Sequence, residues 1–325
     1  TSVANALVVN TGTTATLTVA SGSTTLSGGI SGAGALTKTG SGTLTLTGTN
    51  TSSGTLAVSA GTLTAGAAGA LSSSAAVSVS SGATLNLTAS QTIASLSGLG
   101  AVTTNTSTLT VDASADSTFS GTITNGGNAW DASHGIFTKK GSGTLTLSNV
   151  TISGGETHLE GGAMAISAGA SSVDYFAVGT GSGNTGTLAI SGGTLSVGVA
   201  LHVGDWGGTG TVNQTGGTVE VVPTCNVVGR CASFNLGNQG GTGVYKGLRS
   251  SETTVGVAIP LELGGKRPAR VALATARLTR AQIQAEIARG DLRLRITLDD
   301  LPNRCDAIDL LHLRHYDIHG HNVWL

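Results

Sequence analysis

Repetition constrains this chain more than any other feature. Leu36 to Gly48 reads LTKTGSGTLTLTG, and 101 residues later Phe137 to Asn149 reads FTKKGSGTLTLSN. A second family is tighter: GTLAISGGTLSV from Gly186 to Val197 returns as GTVNQTGGTVEV from Gly210 to Val221, a period of 24. The turns that precede these phrases recur as VGTGSGNTG, VGDWGGTG and LGNQGGTG. The third of them ends at Gly243, where the period alone would end it at position 234, and the nine extra residues fall around PTCNVVGRCAS. A fixed period of about 20 to 50 residues marks a stacked array in which each unit covers the apolar face of the next, and inserted residues then map to a loop on one side.

Within each unit the side chains alternate with period two. Thr43-Leu44-Thr45-Leu46-Thr47 and Thr194-Leu195-Ser196-Val197 send Leu and Val one way and Thr or Ser the other, the pattern of a half-buried strand. Gly pairs and Ser-Gly or Asn-Gly steps between strands supply the positive-φ positions that corners need. The expected fold is all-β: a right-handed parallel β-helix over residues 1–246, with Leu46, Leu145, Leu188, Leu195 and Val212 facing inward, then a short helix-containing C-terminal segment over 247–325. An antiparallel sandwich is the alternative, but its turn spacing should not reproduce a motif of this fixed period.

A stack of Leu, Val, Ile and Ala explains why the chain manages with 4 Phe, 3 Tyr, 3 Trp and 1 Met in 325 residues. Charged residues make up only 10%, against roughly 25% in an ordinary soluble domain. The net charge of −1 gives no electrostatic reason to bind nucleic acid or an anionic membrane. No apolar run approaches the ~20 residues of a membrane helix, and no cofactor is implied. The chain opens on Thr1 without a signal peptide and its one Met is Met164, which reads as a processed or partial product.

The stretch from Gly40 to Gly66, GSGTLTLTGTNTSSGTLAVSAGTLTAG, with its echo at Gly141, resembles the autotransporter-associated repeat of bacterial surface proteins. The units from Gly186 are similar to related repeats of secreted, surface-anchored bacterial proteins. The resemblance spans residues 1–246 and implies a β-helical passenger displayed outside a Gram-negative cell, with a structural or adhesive role in cell-surface or biofilm attachment. Its implied partners are a host or matrix surface, polysaccharide or protein, or further copies of itself. The outer-membrane barrel of that family is not among these residues. The alternatives are a self-assembling filament or sheath subunit and a β-helix carbohydrate-active enzyme.

After Lys246 the character changes: 21 of the 33 charged residues lie from there onward. Residues 253–298 resemble a strand-then-helix segment of TolC-like outer-membrane efflux factors, and the chain beyond Leu298 departs from that family too. A helix is expected across 270–289, with Pro268 suited to its first turn and Thr279 as a competing start. Val255, Val257, Ile259 and Leu261 alternate as a cap over the last rung would require, while a foreign tail is the other reading of 247–325.

Catalysis has little anchor in the sequence. Residues 1–245 hold eight carboxylates, of which Asp112 with Asp116, and Glu156 with Glu160 near His158, are the closest groupings. A carbohydrate-cleaving site needs acid and base to flank one bond, and these scattered carboxylates read as solvated loops or rung edges. Four histidines, His312, His315, His319 and His321, crowd the tail, where they could converge on zinc, nickel or copper with Asp317 assisting. The plainer reading is a His-rich terminus with adventitious metal affinity. Cys225 and Cys231, six positions apart, are either a small-loop disulfide or two free thiols. Trp130 and Trp206, beside Gly-rich turns, read as caps at coil ends and not as sugar platforms.

Overall fold

The computed structural model describes residues 1–129, 133–221, 233–236, 242–246, 315–316 and 322–323. The chain divides into two units. In the second, the described residues form a two-strand antiparallel ladder, His315–Tyr316 with Asn322–Val323. The first unit is a parallel β-solenoid of about ten turns, and every described element in it is a strand. The helix expected over 270–289, and the row from Val255 to Leu261, lie outside the described residues.

Each turn visits three faces. Eleven strands stack on the first face, from Thr14–Thr18 at one end to Thr242–Lys246 at the other. The second face carries Ser23–Leu26, Thr43–Leu46, Thr62–Ala65, Thr84–Leu87, Ala101–Asn105 and Thr122–Asn128 in order. The third face is shorter, with Gln91–Ile93, Thr108–Asp112 and Ile136–Lys140. From Thr151–Leu159 onward single long strands run through the second and third faces, and Ala170–Thr180 shifts register between Val173 and Tyr175 as it crosses.

Alternation dictates what each strand buries. In Thr43–Leu46 and Thr62–Ala65 the second and fourth positions are buried and the threonines are not. Because the strands pair in register, one apolar column runs Leu44, Leu63, Leu85, Val102, Ile123, Ile152, Val173, Val197 up the second face. All eight are 3% exposed or less. Leu46, Leu145, Leu188, Leu195 and Val212, expected to face inward, are each at most 1% exposed. Each such side chain contributes about 1.5–3 kcal/mol by leaving water.

The repeat length is less uniform than the tighter phrase suggests. Ala163 pairs with Thr187 and Thr187 with Thr211, both 24 apart, whereas Thr14 pairs with Ala35 and Ala76 with Ser95, 21 and 19 apart. The longer rungs carry the extra turn around Gly181 and Gly183, both at positive φ. Thr211 pairs with Val244 on the next rung, so the nine-residue excess leaves the ladder intact. One early rung is also long: Ile123 pairs with Ile152, and the excursion between them is pinched by the Gly135 N–H donating to the Gly126 carbonyl at 2.7 Å.

Where the third face lacks a strand, buried amides replace the backbone ladder. Asn50 accepts from the Ile30 N–H at 2.6 Å and donates to the Ala70 carbonyl, tying together rungs 20 residues to either side. Gln91 reaches only the rung before it, accepting from the Leu71 N–H at 2.9 Å and donating to the Ala67 carbonyl at 2.7 Å. Buried backbone groups must find partners, and these side chains supply them.

The two longest repeats share one further device. Lys38 and Lys139 sit at inward positions of their strands and are 0% exposed. The Lys38 ammonium donates to the carbonyls of Thr39 at 3.0 Å, Gly40 at 2.8 Å and Ala60 at 2.9 Å. Lys139 donates to the carbonyls of Lys140, Gly141 and Gly161, at the same sequence offsets. Burial pulls both amines below the usual lysine range, and for Lys139 the nearby Asp112 and Asp116 charges work against that shift. Each ammonium thus ties its own corner to the corner one turn later, at Ala60 or Gly161. Lys38 stands on the first face and Lys139 on the third, so the device follows the phrase and not a particular side of the solenoid.

Candidate functional site

Two outward features stand out. The first is a lattice on the second face. Thr43, Thr62, Thr84, Ala101, Thr122 and Thr151 pair in one outward column, and Thr45, Thr64, Asn86, Thr103 and Thr124 in a second. Strand geometry sets the two columns ~6.6 Å apart and successive rungs ~4.8 Å apart. Asn86 donates to Thr64 Oγ1 at 3.5 Å and accepts from Asn105 Nδ2 at 3.0 Å; the other side chains of the two columns make no hydrogen bond among the described residues. Over residues 1–111 the sole charged side chain is Lys38, turned inward, so this part of the surface is uncharged apart from the N-terminal amine.

The second feature is a charged cluster on the third face, around Thr151–Leu159. His158 lies between two carboxylates: Nε2 is 2.6 Å from Glu156 Oε2 and Nδ1 is 3.8 Å from Glu160 Oε1. Lys140 pairs with Glu160 Oε2 at 2.9 Å, His134 Nε2 stands 3.6 Å from Glu156, and Asn184 donates to Glu160 at 3.2 Å. Burial disfavours the imidazolium, but the hydrogen bonds and charges of Glu156 and Glu160 outweigh it and raise His158 to about 9. The His158 hydrogen bond, with help from Lys140, holds Glu160 below the usual carboxylate range against its burial. The register His158, Ala177, His202 carries the face two rungs further. There Tyr175, His202 and Asp205 are 5%, 6% and 1% exposed. His202 Nδ1 lies 3.0 Å from both the Tyr175 hydroxyl and Asp205 Oδ2. Burial, then the negative charge of Asp205, pushes the Tyr175 phenol upward, so it stays protonated.

Glu156 and Glu160 are therefore not on solvated loops: one lies in a strand, the other directly after it, and both side chains are 19% exposed and engaged. Asp112 and Asp116 match the rung-edge expectation, being exposed, with Asp116 accepting from the Thr144 N–H at 2.7 Å. The acid and imidazole groups neutralise one another around His158, which suits a clasp between the excursion at 126–135 and the third face better than a catalytic pair. Trp206 does not cap a coil end: it is 61% exposed, at φ +51°, on a turn between stacked rungs.

Cys225, Cys231, Trp130, His312, His319 and His321 lie outside the described residues, and of His315 only the backbone is described, paired with Val323. Among the described residues no group of three or more His, Cys, Asp or Glu is placed to hold a metal ion. Sequence reasoning missed Lys38 and Lys139, although their phase was available: each stands two residues after an inward Leu36 or Phe137. It also missed Tyr175 with His202 and Asp205, which no alternation marks.

Residues 36–65 and 137–166 each match the family model of the passenger-associated-transport-repeat, so two segments of the chain are similar to this repeat. No curated protein and no solved structure matches the chain, and the likeness of residues 253–298 to efflux factors gains no support from these comparisons.

Proposed function

We propose that a chain with two segments similar to the passenger-associated-transport-repeat in a continuous β-solenoid is a passenger of autotransporter type, exported to the surface of a Gram-negative bacterium and used there for attachment. The observation that carries this reading is the coincidence of family and architecture: each matched segment is one and a half turns of the same unbroken stack. A solenoid suits display because each rung needs only its neighbour, so the stack can grow turn by turn as the chain emerges. The lack of any exposed charged side chain over residues 1–111 favours a neutral partner over a polyelectrolyte. The enzyme reading has its one foothold in the cluster around His158, where both carboxylates already serve as partners of His158, Lys140 and Asn184.

The test places the chain ahead of an outer-membrane β-barrel in a Gram-negative host. Display is expected to make the Thr-rich faces accessible to antibody on intact cells and to raise attachment to abiotic or matrix-coated surfaces. Retention of the folded chain in the periplasm would overturn the display reading, and display without gained attachment would overturn the adhesive one.

A further inference from the structure

We infer that the two-column threonine lattice of the second face is a binding surface for ordered water, and specifically for the surface of ice. The inference rests on the attachment reading and names its target. Four properties of the lattice carry it, each independent of the others.

Spacing comes first. In-register pairing repeats the columns every ~4.8 Å along the stack and ~6.6 Å across it, a rectangular grid on the scale of the oxygen repeats in ice. Rigidity comes second: threonine is β-branched and stiff at χ1, and each sits on a backbone fixed by pairing on both sides. Little side-chain freedom is left to lose on binding. Third, the hydroxyls of Thr43, Thr45, Thr62 and Thr84 have no protein partner among the described residues, so each can bond a lattice water while its methyl group occupies the gap beside it. Fourth, around the rungs from Thr43 to Thr103 the surface over residues 1–111 carries no exposed side-chain charge, and a charge would hold its own hydration shell and disrupt an ice-like layer.

The other occupants fit less well. A protein partner needs about 800 Å² per side for a stable contact. From Thr43 to Thr151 the lattice spans five rung steps, or ~24 Å by ~7 Å between column centres, a few hundred Å² at most. A neutral polysaccharide would be recognised through stacking aromatics and planar amide or carboxylate pairs, and the lattice offers one amide, Asn86, already bonded to its neighbours. An ice surface needs neither, because each site asks for one hydroxyl and one methyl at the right interval.

The experiment grows ice slowly from a dilute solution of the full chain and measures the fraction of protein taken into the solid, alongside the shape of crystals held just below melting. The chain is expected to be enriched in the ice and to facet the crystals. Thr62→Tyr with Thr84→Tyr, in the middle of the lattice, is expected to lower uptake by about tenfold, equivalent to about 1.4 kcal/mol of lost adsorption. Thr146→Tyr, at an outward position of the first face, is the control and should leave uptake unchanged. Circular dichroism and melting confirm that all variants remain folded. Exclusion of the full chain from ice, or equal loss in the Thr146→Tyr control, overturns the inference. A parallel pull-down on crystalline cellulose and chitin separates the two levels: exclusion from ice with capture on either polymer overturns the ice surface while leaving attachment standing.

Discussion

At the residue scale the corner lysines and His158 make the sharpest demands. Replacing Lys38 by Met keeps the apolar stem and removes the donor to three carbonyls. Unsatisfied buried acceptors cost about 1–3 kcal/mol, and urea denaturation is expected to show a loss of that order, with a similar loss for Lys139→Met. Gly40 is bound just as tightly, with φ +76° and only 2.3 Å between an added Cβ and the Val19 carbonyl. Gly40→Ala is therefore expected to lower the melting temperature through strain and clash together. His158 titrates higher in the folded chain, about 9 against 6.5, so the folded state binds its proton more tightly. The stabilisation is complete below about pH 6.5 and fades as pH rises through about 9. It amounts to at most about 3 kcal/mol. Glu160 has the opposite sign, its lowered value stabilising above the ordinary carboxylate range and losing that effect on acidification. Melting followed from pH 4 to pH 10 should peak in the mildly acidic range, and His158→Gln should flatten its alkaline side.

At the scale of the strand, the sequence is legible wherever alternation and glycine punctuation agree. Leu195 and Val212, expected inward, are fully buried, in strands that pair at the interval of the repeated phrase. The third face is harder to see. Its early strands are as short as Leu7–Val8, Ile30–Ser31 and Gln91–Ile93, and Asn50 and Gln91 stand in for missing ladder bonds. A side-chain amide inside a rung leaves no periodic trace. The same holds for the cluster around His158, because Glu156, His158 and Glu160 show an ordinary alternation of polar residues until the excursion at 126–135 brings His134 against them. Burial of a full charge gives the clearest strand-level test. Leu195→Asp places an unpaired carboxylate among residues with no exposure, which the interior cannot solvate. Amide exchange is expected to show lost protection in Thr194–Asp205 and in the rungs on either side, while distant rungs near Thr62–Ala65 keep theirs.

For the solenoid as a whole, fold and surface chemistry rest on one property, the parallel pairing of successive rungs. Register stacks Leu44 on Leu63 and Leu85 to make the core. It brings each lysine to the carbonyl one turn later, and it turns scattered threonines into a grid. The most direct test measures distance along one column. Thr43 and Thr151 lie far apart in sequence but only five rung steps apart in the column Thr43, Thr62, Thr84, Ala101, Thr122, Thr151. Spin labels at these two positions, read by pulsed electron resonance on the full chain, should give a single narrow distribution centred near ~24 Å plus the reach of the labels. A broad distribution, or a centre displaced by more than a rung or two, would contradict the register and with it the account of core, corner and surface.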